Sequence, residues 1–339
     1  MKHKTSLGVA ILSILCIAGC SDSPAGEAAS TDTDSMSVTV ALANSSCVFG
    51  FPTYVAAEKG FYADNGLDVT IQGLNGSAAV LQVMLANQAQ IGNPGAVPAL
   101  NAKARGEDIV FVANTNPGGS FVLVSPEDDG LKDAADLRGK TIGVATADGN
   151  EVSFMKAIMQ AAGVEEGEYN VLVVGEGGQA VAGFSRGDIH AYAASMDGMA
   201  TIEHSGIPLT DLTGTAAKHL FGNALAVTAE YLDSNPEAVQ AYGRAYNQGR
   251  EYGLANFDEV LEICEKYQPQ EVEDPAYAKA LFEATKKTIT SPDGDEFGRF
   301  NPDYWERVVQ DHVDRGEISE GQIDPEDMYT NEFVEGYSS

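Results

Sequence analysis

The sequence predicts an α/β protein built from two units, and three observations carry that reading. Up to about residue 228, short β-rich runs alternate with helix-length segments, the pattern of βαβ units around mostly parallel sheets. The turns that end the strands of the first unit hold no charge, although the chain carries 50 acidic and 20 basic residues. Beyond residue 229 the pattern is helical and amphipathic only. At 339 residues the chain is long enough for two units, each with its own core.

In chain order, VTVAL at 38–42 reads as a strand, followed by a segment rich in small, polar and aromatic residues, 44–52. Thr53 opens a helix with apolar positions at Tyr54, Val55, Ala57 and Phe61, and Asn65-Gly66 stops it. A strand over 67–72 follows, then a helix over 78–87 with Ser77 or Asn75 as N-cap, a short strand at 89–92 and a helix to about residue 105. Strands at 109–113 and 121–124 close the first unit, and the acidic stretch 125–137 reads as a crossing. The second unit has strands at 140–145, 169–174, 189–193 and 208–212, with helices at 150–162 and 179–185. A return strand over 221–227 leads to helices at 236–254, 257–264, 276–286 and 302–314. Their aromatic residues Tyr242, Tyr246, Phe282, Tyr304 and Trp305 are expected in the core.

The formal charge of −30 argues against nucleic-acid binding, which needs a basic footprint, and against electrostatic attachment to an anionic membrane. A solvated acidic surface is the simple reading. The N-terminus has the parts of an export signal: Lys2 and Lys4, then a short apolar core over 7–17. That core is well short of the about 20 residues a spanning helix needs. Ile17-Ala18-Gly19-Cys20 resembles the bacterial lipobox, which makes Cys20 the expected lipidation site and the membrane anchor. Residues 21–37, poor in bulky apolar side chains, read as a flexible tether. The expected organisation is therefore a signal at 1–19, lipidated Cys and tether at 20–37, first lobe at 38–125, second lobe at 126–220, and a return to the first lobe at 221–339. Cys47 and Cys264 could pair in an oxidising compartment. Their placement, one in a loop and one on a helix far along the chain, favours two buried thiols instead.

None of the five histidines stands at metal-ligand spacing, and no HExxH, CxxC, GxSxG, Walker loop or dinucleotide fingerprint occurs. Neither a metal, a cofactor nor a catalytic residue is expected. Binding is better supported. If the two units face each other, the turns at 45–52, 76–77, 93–95, 114–119, 146–150 and 175–179 gather in one place, with 195–197 beside them. The first four bring amides, backbone N–H groups and the rings of Phe49 and Phe51; the second unit brings Asp148, Glu151, Glu176 and Asp197. No Lys or Arg lies in these turns, and a buried anion usually finds one. That points to a neutral or cationic organic ligand, such as a flat heteroaromatic against Phe49 or Phe51. Helix N-termini alone can hold an anion, and the acids can equally be helix caps.

The runs GFPTYVAAEKGFYADNGLDVTI, GSAAVLQVMLANQAQIG, LRGKTIGVA and FSRGDIHAY resemble extracytoplasmic solute-binding proteins of ABC importers. The group in question includes sulfonate/taurine-, nitrate- and thiamine-pyrimidine-binding proteins, and the likeness runs over about 38–227. It implies a two-lobed type II periplasmic-binding-protein fold that closes on its ligand by a hinge, with the helical tail on the first lobe. It also implies a membrane permease with a cytoplasmic ATPase as partners, and a monomer. Matched loop by loop, ligand contacts would come from Ser45, Cys47, Phe49, Phe51, Gly76, Ser77, Asn93, Asn116, Gly119, Thr146, Asn150, Gln179 and Asp197. The solute is then expected to be a thiamine-related pyrimidine or similar heteroaromatic, with an organosulfonate, nitrate or other small anion as the alternative. Enzymes of the group, pyrimidine synthases for thiamine, use a cysteine-rich motif that is absent here. A non-transporting sensor or adhesion lipoprotein is a third reading.

Overall fold

The computed structural model describes residues 35–147, 149–214 and 221–338. The export signal, Cys20, most of the tether and Asp148 lie outside the described residues. The first sheet begins with β1 (Met36–Leu42), whose apolar residues Val38, Val40 and Leu42 are buried. Next come α1 (Phe51–Glu58) and α2 (Phe61–Asp64), separated because Gly60 takes φ 79°. Pro52 in the first turn of α1 presets the helical φ. Then follow β2 (Leu67–Gly73), α3 (Gly76–Leu85), β3 (Ile91–Gly92), α4 (Ala96–Ala104) and β4 (Ile109–Ala113).

The second sheet comprises β5 (Phe121–Pro126), β6 (Thr141–Val144), α5 (Asn150–Ala161), β7 (Asn170–Val173), α6 (Gly178–Arg186), β8 (Ala191–Ser195), α7 (Met196–His204) and β9 (Leu209–Asp211). Helix α7 was not expected: residues 195–198 read as a turn, yet Ser195 accepts the Gly198 N–H at 3.2 Å and caps a helix. The chain returns through β10 (Leu225–Thr228), and α8 (Ala229–Ser234), α9 (Pro236–Ala255), α10 (Phe257–Tyr267), α11 (Pro275–Thr288), α12 (Pro302–Asp314) and α13 (Val334–Tyr337) complete it. The return strand starts later than residue 221 because Phe221 turns into an aromatic cluster with Phe111, Phe300 and Trp305.

Among the described residues each sheet has five strands, ordered β2-β1-β3-β10-β4 and β7-β6-β8-β5-β9. In the first, β1 runs parallel to β2 and β3 while β10 is antiparallel to β3 and β4. In the second, β6 runs parallel to β7 and β8, and β5 is antiparallel to β8 and β9. This corrects the expectation that the strand at 121–124 closes the first unit: the chain has already crossed when it pairs with β8. The return strand in one sheet and the entry strand in the other are the antiparallel members, as a chain that visits two sheets and comes back requires. Each sheet is covered on both faces. One core of the first lobe joins Val40, Phe51, Tyr242, Tyr246 and Phe282, and a second joins Met84, Leu100, Phe111 and Trp305. Tyr242, Tyr246, Phe282 and Trp305 are buried as expected, and Tyr304 only partly. Among the described residues no helix is long and apolar enough to cross a membrane.

Cys47 and Cys264 form a disulfide with a Cα–Cα distance of 5.4 Å, which corrects the expectation of two separate thiols. Helix α10 packs on α1, so two positions 217 residues apart become neighbours. Helix α11 does more than cover the first lobe. Asp274 caps its start and Pro275 opens it. From there Tyr277 shares a 2.9 Å hydrogen bond between its hydroxyl and that of Thr201 on α7, and its ring lies 4.9 Å from that of His204.

Candidate functional site

The strand ends of the two sheets face each other across a cleft. Its cavity encloses about 450 Å³ of atom-free space when the open mouth is included. Ala43, Asn44, Phe49, Gly76 and Ser77 form the first-lobe wall, while Thr146, Glu151 and Glu176 form the second. Ser120 and Asn223, on the two crossings between the sheets, and Phe121, the first residue of β5, complete the lining. The lobes meet closely. A Cβ on Gly76 would stand 3.5 Å from Thr146 Cγ2, and one on Gly95 would stand 2.5 Å from both Cβ and Cγ of Asn150.

Of the residues expected to touch ligand, Phe49, Gly76, Ser77 and Thr146 line this cavity. Asn93 and Ser77 shape its wall: Asn93 Oδ1 accepts the Ala43 N–H at 2.7 Å, and Ser77 Oγ accepts the Gly95 N–H at 2.9 Å. Gln179 sits at the outer rim with Asn75 and Gly175. Asn150 lines a neighbouring crevice with Val97, Phe154 and Val308. Asn116 accepts the Gly222 N–H through its carbonyl at 3.0 Å, holding the two crossings together, and Gly119 turns the first of them at φ 81°. Ser45 is exposed beside Gly73 and does not line the cavity.

Two of the expected contacts are wrong. Cys47 is fully buried and bonded to Cys264. Phe51 is fully buried and stacks on Phe282 with ring centroids 5.3 Å apart. As the first residue of α1, Phe51 projects onto the helices of the tail rather than into the cleft; Phe49, two residues earlier in the preceding turn, lines the cavity instead.

Sequence reasoning missed Ser120 and Asn223, which lie at the crossings, Phe121 and Glu271. The Glu271 carboxylate accepts the N–H groups of Cys47 and Val48, both at 3.0 Å. The loop that looked free of charge is thus anchored on a carboxylate, and nothing in the sequence flags a partner more than 220 residues away.

The electrostatics are one-sided. Glu176 is pushed up to about 7, first by burial between the lobes and then by Asp197 and Glu151. Burial also raises Asp197, against hydrogen bonds from Ser195, Gly198 and its own backbone. Glu271 is raised by burial and by Asp197, against the donors of Val48, Ser46 and Cys47. Tyr192, whose hydroxyl donates to the Gly175 carbonyl at 3.0 Å, is raised by burial and by the same acids. Glu151 acts as a local cap, accepting from the Thr146 N–H at 2.9 Å and its hydroxyl at 2.7 Å. No Lys or Arg lines the cavity. Among the described residues no group of three or more His, Cys, Asp or Glu side chains is arranged to hold a metal ion.

The chain is similar in sequence to a riboflavin-binding protein, RibY, of Chloroflexus aurantiacus, with 24% identity over 295 residues, 85% of this chain and 83% of the relative. It is also 24% identical over 297 residues to a formylaminopyrimidine-binding protein of Halalkalibacterium halodurans, covering 82% of this chain and 84% of that one. In structure it resembles the periplasmic aliphatic sulphonate binding protein SsuA of Escherichia coli. The TM-score is 0.70 at 13% identity, over 86% of this chain and 91% of the other. The two-lobed architecture is therefore that of the periplasmic binding proteins. The NMT1/THI5-like family model matches residues 50–260, which span the turns and strands that build the cleft, and the chain belongs to that family.

Proposed function

We propose that this chain is a lipid-anchored, extracytoplasmic solute-binding protein that captures a small nitrogen heteroaromatic, neutral or cationic, and delivers it to an ABC importer permease. The observation that carries the reading is the cleft itself: Phe49 and Phe121 offer ring faces, Glu151 and Glu176 offer acceptors, and no basic side chain is present. Relatives named for a riboflavin and a formylaminopyrimidine ligand support a flat nitrogen heterocycle, and a thiamine-related pyrimidine fits the same chemistry. Capture rather than conversion is supported by the fate of Cys47, whose sulfur is engaged with Cys264 and not available as a nucleophile. The fold by itself does not separate the two. The anchor on Cys20, a monomeric state and the domain limits given above, with the first boundary moved back so that β5 falls in the second lobe, belong to this same reading.

An organosulfonate or another small anion is the second reading. It rests on the start of α3, where Ser77 brings a first-turn N–H of a helix to the cavity wall, the Gly76 N–H being given to the Ala43 carbonyl at 2.8 Å. The test is a thermal-shift titration of the detergent-solubilised full chain against pyrimidines, flavins, sulfonates and nitrate. A solute that binds only the folded form stabilises it by about 2.7 kcal/mol at a hundredfold excess over its Kd. A response to pyrimidines or flavins supports the first reading, one to sulfonates or nitrate the second, and a solute that is consumed would contradict capture.

A further inference from the structure

Resting on the capture reading, we propose that the solute presents a positively charged N–H group to Glu176, backed by Asp197, and that this charge is what lets the lobes remain closed. The cavity lining holds two carboxylates from separate elements, Glu151 from α5 and Glu176 from the turn before α6. Asp197 in the first turn of α7, outside the lining, acts on Glu176 through its charge. Across from them the first lobe contributes Glu271, which feels the charge of Asp197. The other titratable groups facing this set are Tyr192 on β8, Tyr277 on α11 and Tyr54 on α1, and none supplies positive charge. Closure thus brings like charges together with no cation of the cavity lining between them.

A second observation points to the same missing partner. Ser120, 5% exposed and lining the cavity, has a hydroxyl without a hydrogen-bond partner among the described residues. Asn223 Oδ1, also in the cavity lining, is likewise buried and unpartnered. That atom is an acceptor, so what it lacks is a donor. A protonated amine, amidine or ring N–H supplies donors and counter-charge together. An anion or a pure acceptor supplies neither.

The test compares benzamidine with benzamide, which share a planar shape and differ in charge, on the full chain by calorimetry at pH 6 and pH 8. With Glu176 titrating near 7, its ionised fraction rises from about a tenth to about nine tenths over that interval, so benzamidine affinity should rise about tenfold. Proton release on binding should accompany it. Benzamide should bind more weakly, without that pH trend. E176Q should weaken benzamidine at least tenfold at pH 8 and flatten its profile. In small-angle scattering at pH 8 without solute, the E176Q/D197N double variant should be more compact than the parent. The proposal is overturned if benzamide matches benzamidine, if binding tightens toward pH 6, or if the parent is already as compact as the double variant. Calcium or zinc binding that E176Q abolishes would overturn it in favour of a metal. If neither probe binds but a sulfonate or neutral heterocycle does, the charge proposal fails while capture stands. If no solute of any class binds, capture itself has failed.

Discussion

On the capture reading, replacing Gly95 with alanine should impair lobe closure without harming either lobe. Gly95 adopts φ −75° and ψ 157°, which alanine accepts, so the backbone presents no obstacle. The added methyl would stand 2.5 Å from Cβ and Cγ of Asn150, at the start of α5 on the opposite lobe. Carbon atoms rest about 3.5–4.0 Å apart, so the lobes must separate by an ångström or more at this contact. Forced overpacking of this kind costs about 1–3 kcal/mol. Because only the closed form incurs it, solute affinity should fall roughly 5- to 160-fold. Unfolding stability should change by about 1 kcal/mol or less, from the poorer N-cap. The assay is solute titration beside urea unfolding and small-angle scattering of the loaded protein. Asn150→Gly in the same chain removes the facing carbons and should restore affinity. Unchanged affinity in Gly95→Ala, or no rescue by Asn150→Gly, would refute the claim that this contact governs closure.

Three further outcomes are expected. Cys264→Ser opens a covalent loop of 217 residues, which in the chain-entropy picture is worth about 5 kcal/mol, so urea unfolding should shift strongly and the parent should respond equally to reductant. A thiol titration of the unfolded, non-reduced chain should find neither Cys47 nor Cys264 reactive. Glu271→Ala removes the acceptor of two N–H groups at the cleft loop and should cost about 1–3 kcal/mol, with faster amide exchange at Cys47 and Val48. The third outcome concerns pH. Glu176 titrates near 4.5 when unfolded and near 7 in the fold. Its contribution to stability is therefore complete below about 4.5 and lost as pH rises through about 7. Without solute, Tm should decline from pH 5 to pH 8, and Glu176→Gln should reduce that decline.

Much of the architecture was legible because strands and helices leave periodic marks. The alternation at 67–113 reappears as β2, α3, β3, α4 and β4 within a few residues, and Pro302 with Asn301 marks the start of α12 as read. Helix α7 escaped because its first residues, Ser195-Met196-Asp197-Gly198, are as good a turn as a capped helix start until the Ser195 hydroxyl is seen to accept the Gly198 N–H.

The site was legible in part, and the reason is one of direction. A sequence shows which turns follow strands, and hence that Phe49, Gly76, Ser77 and Thr146 belong near a cleft. It does not show which way neighbouring residues in one turn project, so Phe51 and Phe49 look alike in the sequence although one is core and the other is wall. Local chemistry also determined the surplus of acid and the lack of basic residues at the cleft, since charge is a property of composition and spacing. Only the tertiary structure decided what is brought from afar: Cys264 onto Cys47, Glu271 beneath the cleft loop, and Asn223 and Ser120 together in the cavity lining. These partners meet through the packing of α10 on α1 and the two crossings between the sheets, contacts whose separation along the chain leaves no periodic trace.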